Sequence, residues 1–374
     1  MKNILILLWK PLSKHKIEIL EIELLKKFYK VNFCEITKII FPKYKKTTSR
    51  LNFKVTKIQN FKALIHFFNK NSFDLILNHT GIQKNTEVYK LLLRQETPIL
   101  TSYENFISKN LFYPYKFLSL FKNFIFSVIF FFLKKKKLNE YSYLMSDKIE
   151  NIKNVIGTNI IYGQNYAINE ISKIKNKKKI IKNKVVFLDQ NWGDNTDYDL
   201  YYDRKSINRF KKIFYKELIL FLKKFEKEFN AKITVSLHPF SKKKNWIKYK
   251  DFNISINKTT SEIASSNLTI GLWSNSLSYA ILLKKNILII NSKSFLNMTD
   301  EYNYANYVTR YINSSMPLSI SESNSLHKDT ISKFIIKPNN KYTTYKNFFL
   351  QAKNSKSIGL CSAIRNILSK NKTL

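Results

Sequence analysis

A chain of 374 residues with 44% hydrophobic and 15% aromatic content exceeds one typical domain and can build real cores, which excludes a disordered or fibrous class. Only 6 Gly and 7 Pro leave little room for linker-like tracts, and the two cysteines, Cys34 and Cys361, provide neither a disulfide framework nor a metal cluster, so a reducing, cytoplasmic setting fits. The net charge of +39 is almost all lysine, with arginine only at Arg50, Arg94, Arg204, Arg209, Arg310 and Arg365, which argues against a specific nucleic-acid reader.

The amino-terminal run through Trp9 is too short for a secretory signal, lacks a small-residue cleavage site and meets Lys10-Pro11, so residues 4–9 read as a first buried strand. Residues 16–29 repeat apolar positions at helical spacing, and residues 32–36 form a second, weaker strand. A helix over 61–69 leads to a strand over 73–77 that ends in Asn78-His79-Thr80-Gly81; a helix over 87–94 and a strand from Pro98 follow. Residues 117–133, rich in phenylalanine and followed by Lys134-Lys135-Lys136-Lys137, are too interrupted and short to span a bilayer. They read either as an interfacial helix on an anionic membrane surface or as a buried helix of an aromatic core.

A basic stretch over 171–183 reads as a linker, after which the alternation restarts. The strand 184–188 runs into Asp189-Gln190-Asn191-Trp192-Gly193-Asp194-Asn195. A helix over 215–229 precedes a strand over 233–237 that closes on His238-Pro239-Phe240. The strand 268–272 ends in Trp273-Ser274-Asn275-Ser276, followed by a helix over 277–283 and a strand over 287–290; residues 342–368 are amphipathic and helical in pattern. Strands alternating with helices predict an α/β protein of two Rossmann-like parallel-sheet domains facing a cleft. The expected boundaries are 1–165, 166–340, and a terminal helix over 341–374 that packs back across the cleft.

In such sheets ligand groups gather at the carboxyl ends of the strands, and three successive strands of the second half deliver polar side chains there. His238 before Pro239 fixes an extended turn from which an imidazole can donate to a phosphate oxygen. Trp273, Ser274, Asn275 and Ser276 bring hydroxyls and backbone N–H groups to a helix start, suited to an anion or to ordinary capping. Gln190 stands at a strand end as a hydrogen-bonding candidate. Asp189, Asp194, Asp197, Asp199 and Asp203 crowd one loop, where a carboxylate such as Asp194 can serve as general base or order the loop. The spacing matches no calcium loop, so metal binding is not expected. His79 and His15 are candidate bases for an acceptor hydroxyl; His66 reads as structural on an apolar helical face, and His327 as a loop residue.

The second half resembles bacterial capsular and surface-polysaccharide biosynthesis proteins of two-domain GT-B glycosyltransferase architecture. The matching pieces are Phe187-Leu188-Asp189-Gln190, Tyr215-Lys216-Glu217-Leu218, Leu237-His238-Pro239, the turn from Ser274 to Ser278, Pro317-Leu318-Ser319-Ile320 and residues 342–349. Bacterial sialyltransferases and polysialyltransferases share a His-Pro element and a later serine element that hold the cytidine monophosphate part of a sugar donor. Their acidic Asp/Glu-Asp/Glu-Gly motif has no counterpart here, since Asn191-Trp192-Gly193-Asp194 does not match it. The resemblance implies metal-independent transfer of a sugar from a CMP- or UDP-linked donor, with no further cofactor, to a surface polysaccharide or lipid-linked acceptor. The first domain would then be the acceptor side, and the protein peripheral on the inner face of the cytoplasmic membrane. The alternatives are a glycerophosphotransferase-like enzyme and a non-catalytic sugar-nucleotide-binding protein of a capsule locus.

Overall fold

The computed structural model describes residues 1–42, 53–79, 86–95, 97–102, 142–146, 159–163, 166–174, 179–194, 204–239, 241–295, 305–306, 308–310, 312–313, 316–321, 326–350 and 358–370. The segment 117–133, with the lysines after it, lies outside the described residues, as do Asp197, Asp199 and Asp203. Among the described residues no helix is long and apolar enough to cross a membrane. The chain divides into two compact units, Met1–Asn165 with Gln351–Leu374, and Tyr166–Leu350.

The first unit is built on a parallel sheet of seven strands: β1 (Asn3–Leu8), β2 (Lys30–Glu35), β3 (Val55–Lys57), β4 (Leu75–His79), β5 (Ile99–Ser102), β6 (Ser142–Ser146) and β7 (Asn159–Tyr162). Their order across the sheet is β3-β2-β1-β4-β5-β6-β7. Strand β1 is buried on both faces from Ile4 to Leu8, as a central parallel strand requires. Leu5 and Leu7 join one apolar cluster, while Ile4, Ile6 and Leu8 join the other, so helices cover both faces.

The second unit repeats the plan with six parallel strands: β8 (Lys184–Leu188), β9 (Lys232–Ser236), β10 (Asn253–Ser255), β11 (Leu268–Gly271), β12 (Asn286–Asn291) and β13 (Leu318–Ser319). The order β10-β9-β8-β11-β12-β13 is the doubly wound arrangement, in which the chain starts at the centre, runs to one edge and returns to build the other. The helix Arg204–Phe229 supplies one covering face through Phe214, Leu218, Phe221, Leu222 and Phe225. It starts eleven residues earlier than the apolar spacing alone indicates.

Three local readings are corrected. The expected single helix over 16–29 is two, Lys14–Ile19 and Ile22–Leu25, because Glu21 between them takes a left-handed backbone (φ 48°). His66 is exposed on the helix Phe61–Lys70, whose buried positions are Leu64 and Phe68. The amphipathic run over 342–368 contains the helix Asn340–Tyr345, a wider turn at Lys346–Leu350, and the separate helix Leu360–Lys370. The last of these buries Leu360, Ala363, Ile364, Ile367 and Leu368 in the same cluster as Ile4, Ile6 and Leu8.

The break at Glu21 serves that terminal helix. Its carboxylate accepts from the Cys361 backbone N–H at 2.8 Å, satisfying a donor in the first turn where negative charge is also favoured. The carboxylate lies close over Gly359, where a Cβ would stand 2.9 Å from Glu21 Oε1 and would displace it. Replacing Glu21 with Ala is expected to cost about 1 kcal/mol of stability. Chemical denaturation measures this, and an unchanged midpoint would show that the bond contributes nothing.

Candidate functional site

The site is built at the carboxyl edge of the second unit's sheet. Strands β8 and β11 pair there in parallel and leave in opposite lateral directions, which opens a crevice at the switch point. Strand β8 is apolar and buried from Val185 to Leu188, and its first residue beyond, Asp189, is a buried carboxylate. Asp189 Oδ1 accepts from the Asn191 backbone N–H (3.1 Å) and from the Tyr249 hydroxyl (2.9 Å). The chain then turns through left-handed conformations at Asn191 (φ 50°) and Gly193 (φ 71°). A Cβ at Gly193 would meet the Lys211 side chain at 2.9 Å, so only glycine fits that position without rearrangement.

Trp192 plugs the loop into the core. It is fully buried, its ring lies 4.7 Å from Phe295 and 5.5 Å from Phe214, and its carbonyl accepts from Tyr215 Oη at 3.2 Å. Arg204 donates to the Gly193 carbonyl at 2.7 Å. The polar loop is therefore held as a rigid ledge.

Three of the sequence-derived candidates follow the carboxyl ends of neighbouring strands. Leu188 pairs with Ser236, and the Asp189 N–H continues the ladder to the Ser236 carbonyl at 3.0 Å. Gln190 and His238 each follow the paired positions Leu188 and Ser236 by two residues, and Trp273 follows Ile270, the partner of Phe187, by three. His238 and Gln190 are half-buried, and Pro239 is exposed in the turn that the Ser241 N–H closes on the His238 carbonyl (2.8 Å). Trp273 packs edge-on against Phe295 at 5.4 Å. Ser274 Oγ accepts from the Ser276 N–H (3.2 Å), so this hydroxyl is engaged by its own turn. Ser276 occupies the N-cap position without a side-chain cap bond, and Asn275 is exposed. The helix that follows, Leu277–Leu282, has only six residues, so anion binding here would depend on hydroxyls and turn N–H groups more than on a helix dipole.

The two proposed catalytic residues are placed differently. Asp194 is paired with Lys211 (2.7 Å) and lies 3.8 Å from Lys248, with ammonium groups facing both carboxylate oxygens. His79 belongs to the other unit, buried at the end of β4, and His15 falls in the helix Lys14–Ile19. Among the described residues no three or more His, Cys, Asp or Glu side chains group as for a metal ion.

Sequence reasoning missed two clusters at this edge. Lys248 sits 3.4 Å from the Tyr215 ring and 5.3 Å from Tyr249, with its Nζ buried and making no hydrogen bond. Burial pulls its ammonium down to about 8, against the opposing pull of Asp189 and Asp194. Burial, with Asp189 adding to it, pushes the Tyr249 phenol well up. Asp189 Oδ2, Gln190 Oε1 and Asn191 Oδ1 are likewise buried without a hydrogen-bond partner. Such orphaned acceptors are costly and concentrate at ligand sites. The second cluster is Glu217, whose Oε2 accepts from Ser292 Oγ (2.5 Å) and Ser321 Oγ (3.2 Å) beyond β12 and β13. Glu217 shares its half-buried position with Glu226 of the same helix, so the apolar pattern did not single it out, and nothing in the local pattern signalled Lys248.

No protein-family model and no curated protein matches the chain. Solved structures do. The UDP-GlcNAc 2-epimerase of Methanocaldococcus jannaschii in complex with UDP-GlcNAc and UDP aligns over 99% of this chain and 100% of that chain, at 12% identity and a TM-score of 0.51. MurG of Acinetobacter baumannii aligns over 99% and 100%, at 9% identity and a TM-score of 0.47. The wall teichoic acid polymerase TagF aligns over 100% of this chain and 89% of that chain, at 11% identity and a TM-score of 0.44. The first of these likenesses shows the fold: two Rossmann-like parallel-sheet domains in one chain, the GT-B type.

Lys248 carries a testable pH signature. With an ammonium at about 8 in the fold against an ordinary 10.5, the folded protein binds fewer protons between those values. Its contribution to stability is therefore lowest at and below pH 8 and is regained as pH rises to 10.5. The lowering corresponds to about 3 kcal/mol on the charged form. The unfolding free energy of the native protein should gain roughly 2–3 kcal/mol over that of Lys248→Met between pH 8 and 10.5. A constant difference across that range would show the ammonium to be unperturbed.

Proposed function

We propose that the protein transfers a sugar from a nucleotide-activated donor, with the second unit as donor domain. The observation that carries this reading is the set of buried, unpaired acceptors on Asp189, Gln190 and Asn191 at the switch point of β8 and β11, where His238 and Trp273 follow the neighbouring strand ends. These acceptors suit the N–H and O–H edges of a base or ribose. His238, with the Ser274–Ser276 turn, would face the phosphates and stabilise the departing nucleotide without a metal. The epimerase that shares the fold is solved with UDP-GlcNAc and UDP, which supports a sugar nucleotide as ligand. The donor we infer is CMP- or UDP-linked, and Asp194 and His79 are the proposed catalytic groups.

The acceptor we infer is a surface polysaccharide or lipid-linked glycan, reached by a peripheral protein at the inner membrane face. The apolar residues 117–133 followed by four lysines support that location in the sequence. A second reading, epimerisation of the donor sugar itself, is favoured by the same shared fold.

Thermal melting with CMP- and UDP-linked sugars tests the donor site, because a ligand of the folded state raises the midpoint. One donor should stabilise the native protein, and His238→Ala should weaken its affinity at least tenfold, about 1.4 kcal/mol, with the ligand-free melting point kept. Equal stabilisation of both proteins would remove His238 from the site. Proton NMR of the reacted donor separates the two chemistries: free nucleotide marks transfer, and an intact nucleotide with an inverted sugar carbon marks epimerisation.

A further inference from the structure

In the second unit the segment between β9 and β10 is wound from tight turns and holds one apolar side chain outward. The backbone N–H groups of Asn245, Trp246, Tyr249, Lys250 and Phe252 each donate to the carbonyl three residues earlier, so the path from Lys242 to Phe252 winds with a period close to three. That period sends Trp246, Tyr249 and Phe252 to one side, where all three pack on the apolar cluster beneath the helix Arg204–Phe229. Ile247 takes the neighbouring side and is 74% exposed, more than any other isoleucine among the described residues. The aromatic anchors on either side make its exposure a fixed feature of the turn.

Two more isoleucines follow on the edge strand β10. Ile254 pairs in register with Val235, a member of the same cluster as Tyr249, and Ile256 follows two residues later on the same face. They are 38% and 39% exposed. Ser255 turns the other way and donates to Glu262 at 3.1 Å. Lys242, Lys243, Lys250 and Lys258 are exposed along this stretch. Its one acid, Asp251, is held by Lys223 at 2.6 Å, so the surface is positive. Lysines beside an edge strand deter another strand from pairing with it. That accounts for the charge but not for three isoleucines left in water.

We propose that this face of the second unit docks on the surface of an anionic bilayer, with Ile247 entering the headgroup boundary and Lys242, Lys243, Lys250 and Lys258 against the lipid phosphates. Bilayer contacts of this kind pair apolar side chains with basic neighbours. Between Ser241 and Lys258 there is no arginine for bidentate contact, and the aromatics pack inward, so a nucleic acid is offered neither base-edge reading nor stacking. Only the membrane location is taken from the transferase reading above; the donor chemistry does not enter. The same turn carries Tyr249, whose hydroxyl reaches Asp189, so the docked face adjoins the candidate donor site.

Sedimentation of the full chain with vesicles of phosphatidylcholine, alone or with about one third phosphatidylglycerol, tests the surface. The native protein should bind the anionic vesicles and leave the neutral ones. Ile247→Ser, which removes no charge, and the double variant Lys242→Gln with Lys250→Gln should each weaken that binding roughly fivefold or more at an unchanged melting point. Lys62→Gln with Lys70→Gln removes the same charge from exposed positions of the helix Phe61–Lys70 and should stay within about twofold. Native affinity in Ile247→Ser, or equal weakening in the control pair, would overturn this surface and leave the membrane location standing. A native protein that ignores anionic vesicles would remove both, while a melting-point rise with a sugar nucleotide would still uphold the donor site. Vesicle binding kept by the lysine variant, with binding of a single-stranded oligonucleotide lost, would assign the face to a nucleic acid instead.

Discussion

A parallel strand buried on both faces can carry polar chemistry only at its ends, and both units of this protein are organised by that restriction. In β1 and β8 every buried interior position is apolar, because helices cover each face and leave no water to satisfy a polar side chain. The lateral reversal of the chain after the third strand then opens a crevice at one edge of each sheet. Within the first unit the polar residues that follow β1 and β4, and within the second those that follow β8, β9 and β11, are thereby brought to one edge of their own sheet although they are far apart in sequence. The sites are consequences of the winding order.

The central strands and their terminal residues were legible because local sequence suffices for them. Apolar runs such as Val185-Val186-Phe187-Leu188 can be satisfied only by a buried strand, and His238, Gln190 and Trp273 follow such runs directly. The edge strands were not legible for the opposite reason. Strands β3 and β10 have three residues each and β13 has two, with Thr56, Lys57, Asn253 and Ser319 among them. Their extended form comes from pairing with a neighbour already in place, which no window of local sequence contains.

The same distinction runs through the candidate site. Residues supplied by strand ends were found, whereas those that reach in from other elements were not. Tyr249 and Lys248 lie on a short 3-10 turn, Ile247–Tyr249, which has no periodicity to read. Their placement depends on Asp189, sixty residues earlier, accepting from the Tyr249 hydroxyl. In the serine turn Ser274 Oγ accepts from the Ser276 N–H and closes its own backbone turn, a use of serine that leaves its O–H free in direction and is invisible in the sequence.

Lysine accounts for most of the charge, and its partners in the fold separate architecture from chemistry. Lys184 meets the Glu262 carboxylate at 2.5 Å and Ser265 Oγ at 2.8 Å, which ties β8 to the helix Thr259–Ser265. Lys285 donates to the carbonyls of Ala264 (2.7 Å) and Ser266 (2.9 Å), satisfying acceptors at the end of that same helix. These two stand near the amino edge of the sheet, and each makes at least two hydrogen bonds that repay its burial. At the carboxyl edges the pattern differs. Lys248 rests on an aromatic face beside a carboxylate already paired with Lys211, and Lys10 and Lys16 gather round Trp9. An ammonium lying on a ring keeps much of its capacity to attract an anion, since the ring offers no full charge to neutralise it. In the second unit, then, the lysines of the amino edge bind acceptors of the fold directly, whereas Lys248 at the carboxyl edge rests on aromatic rings within 3.8 Å of Asp194.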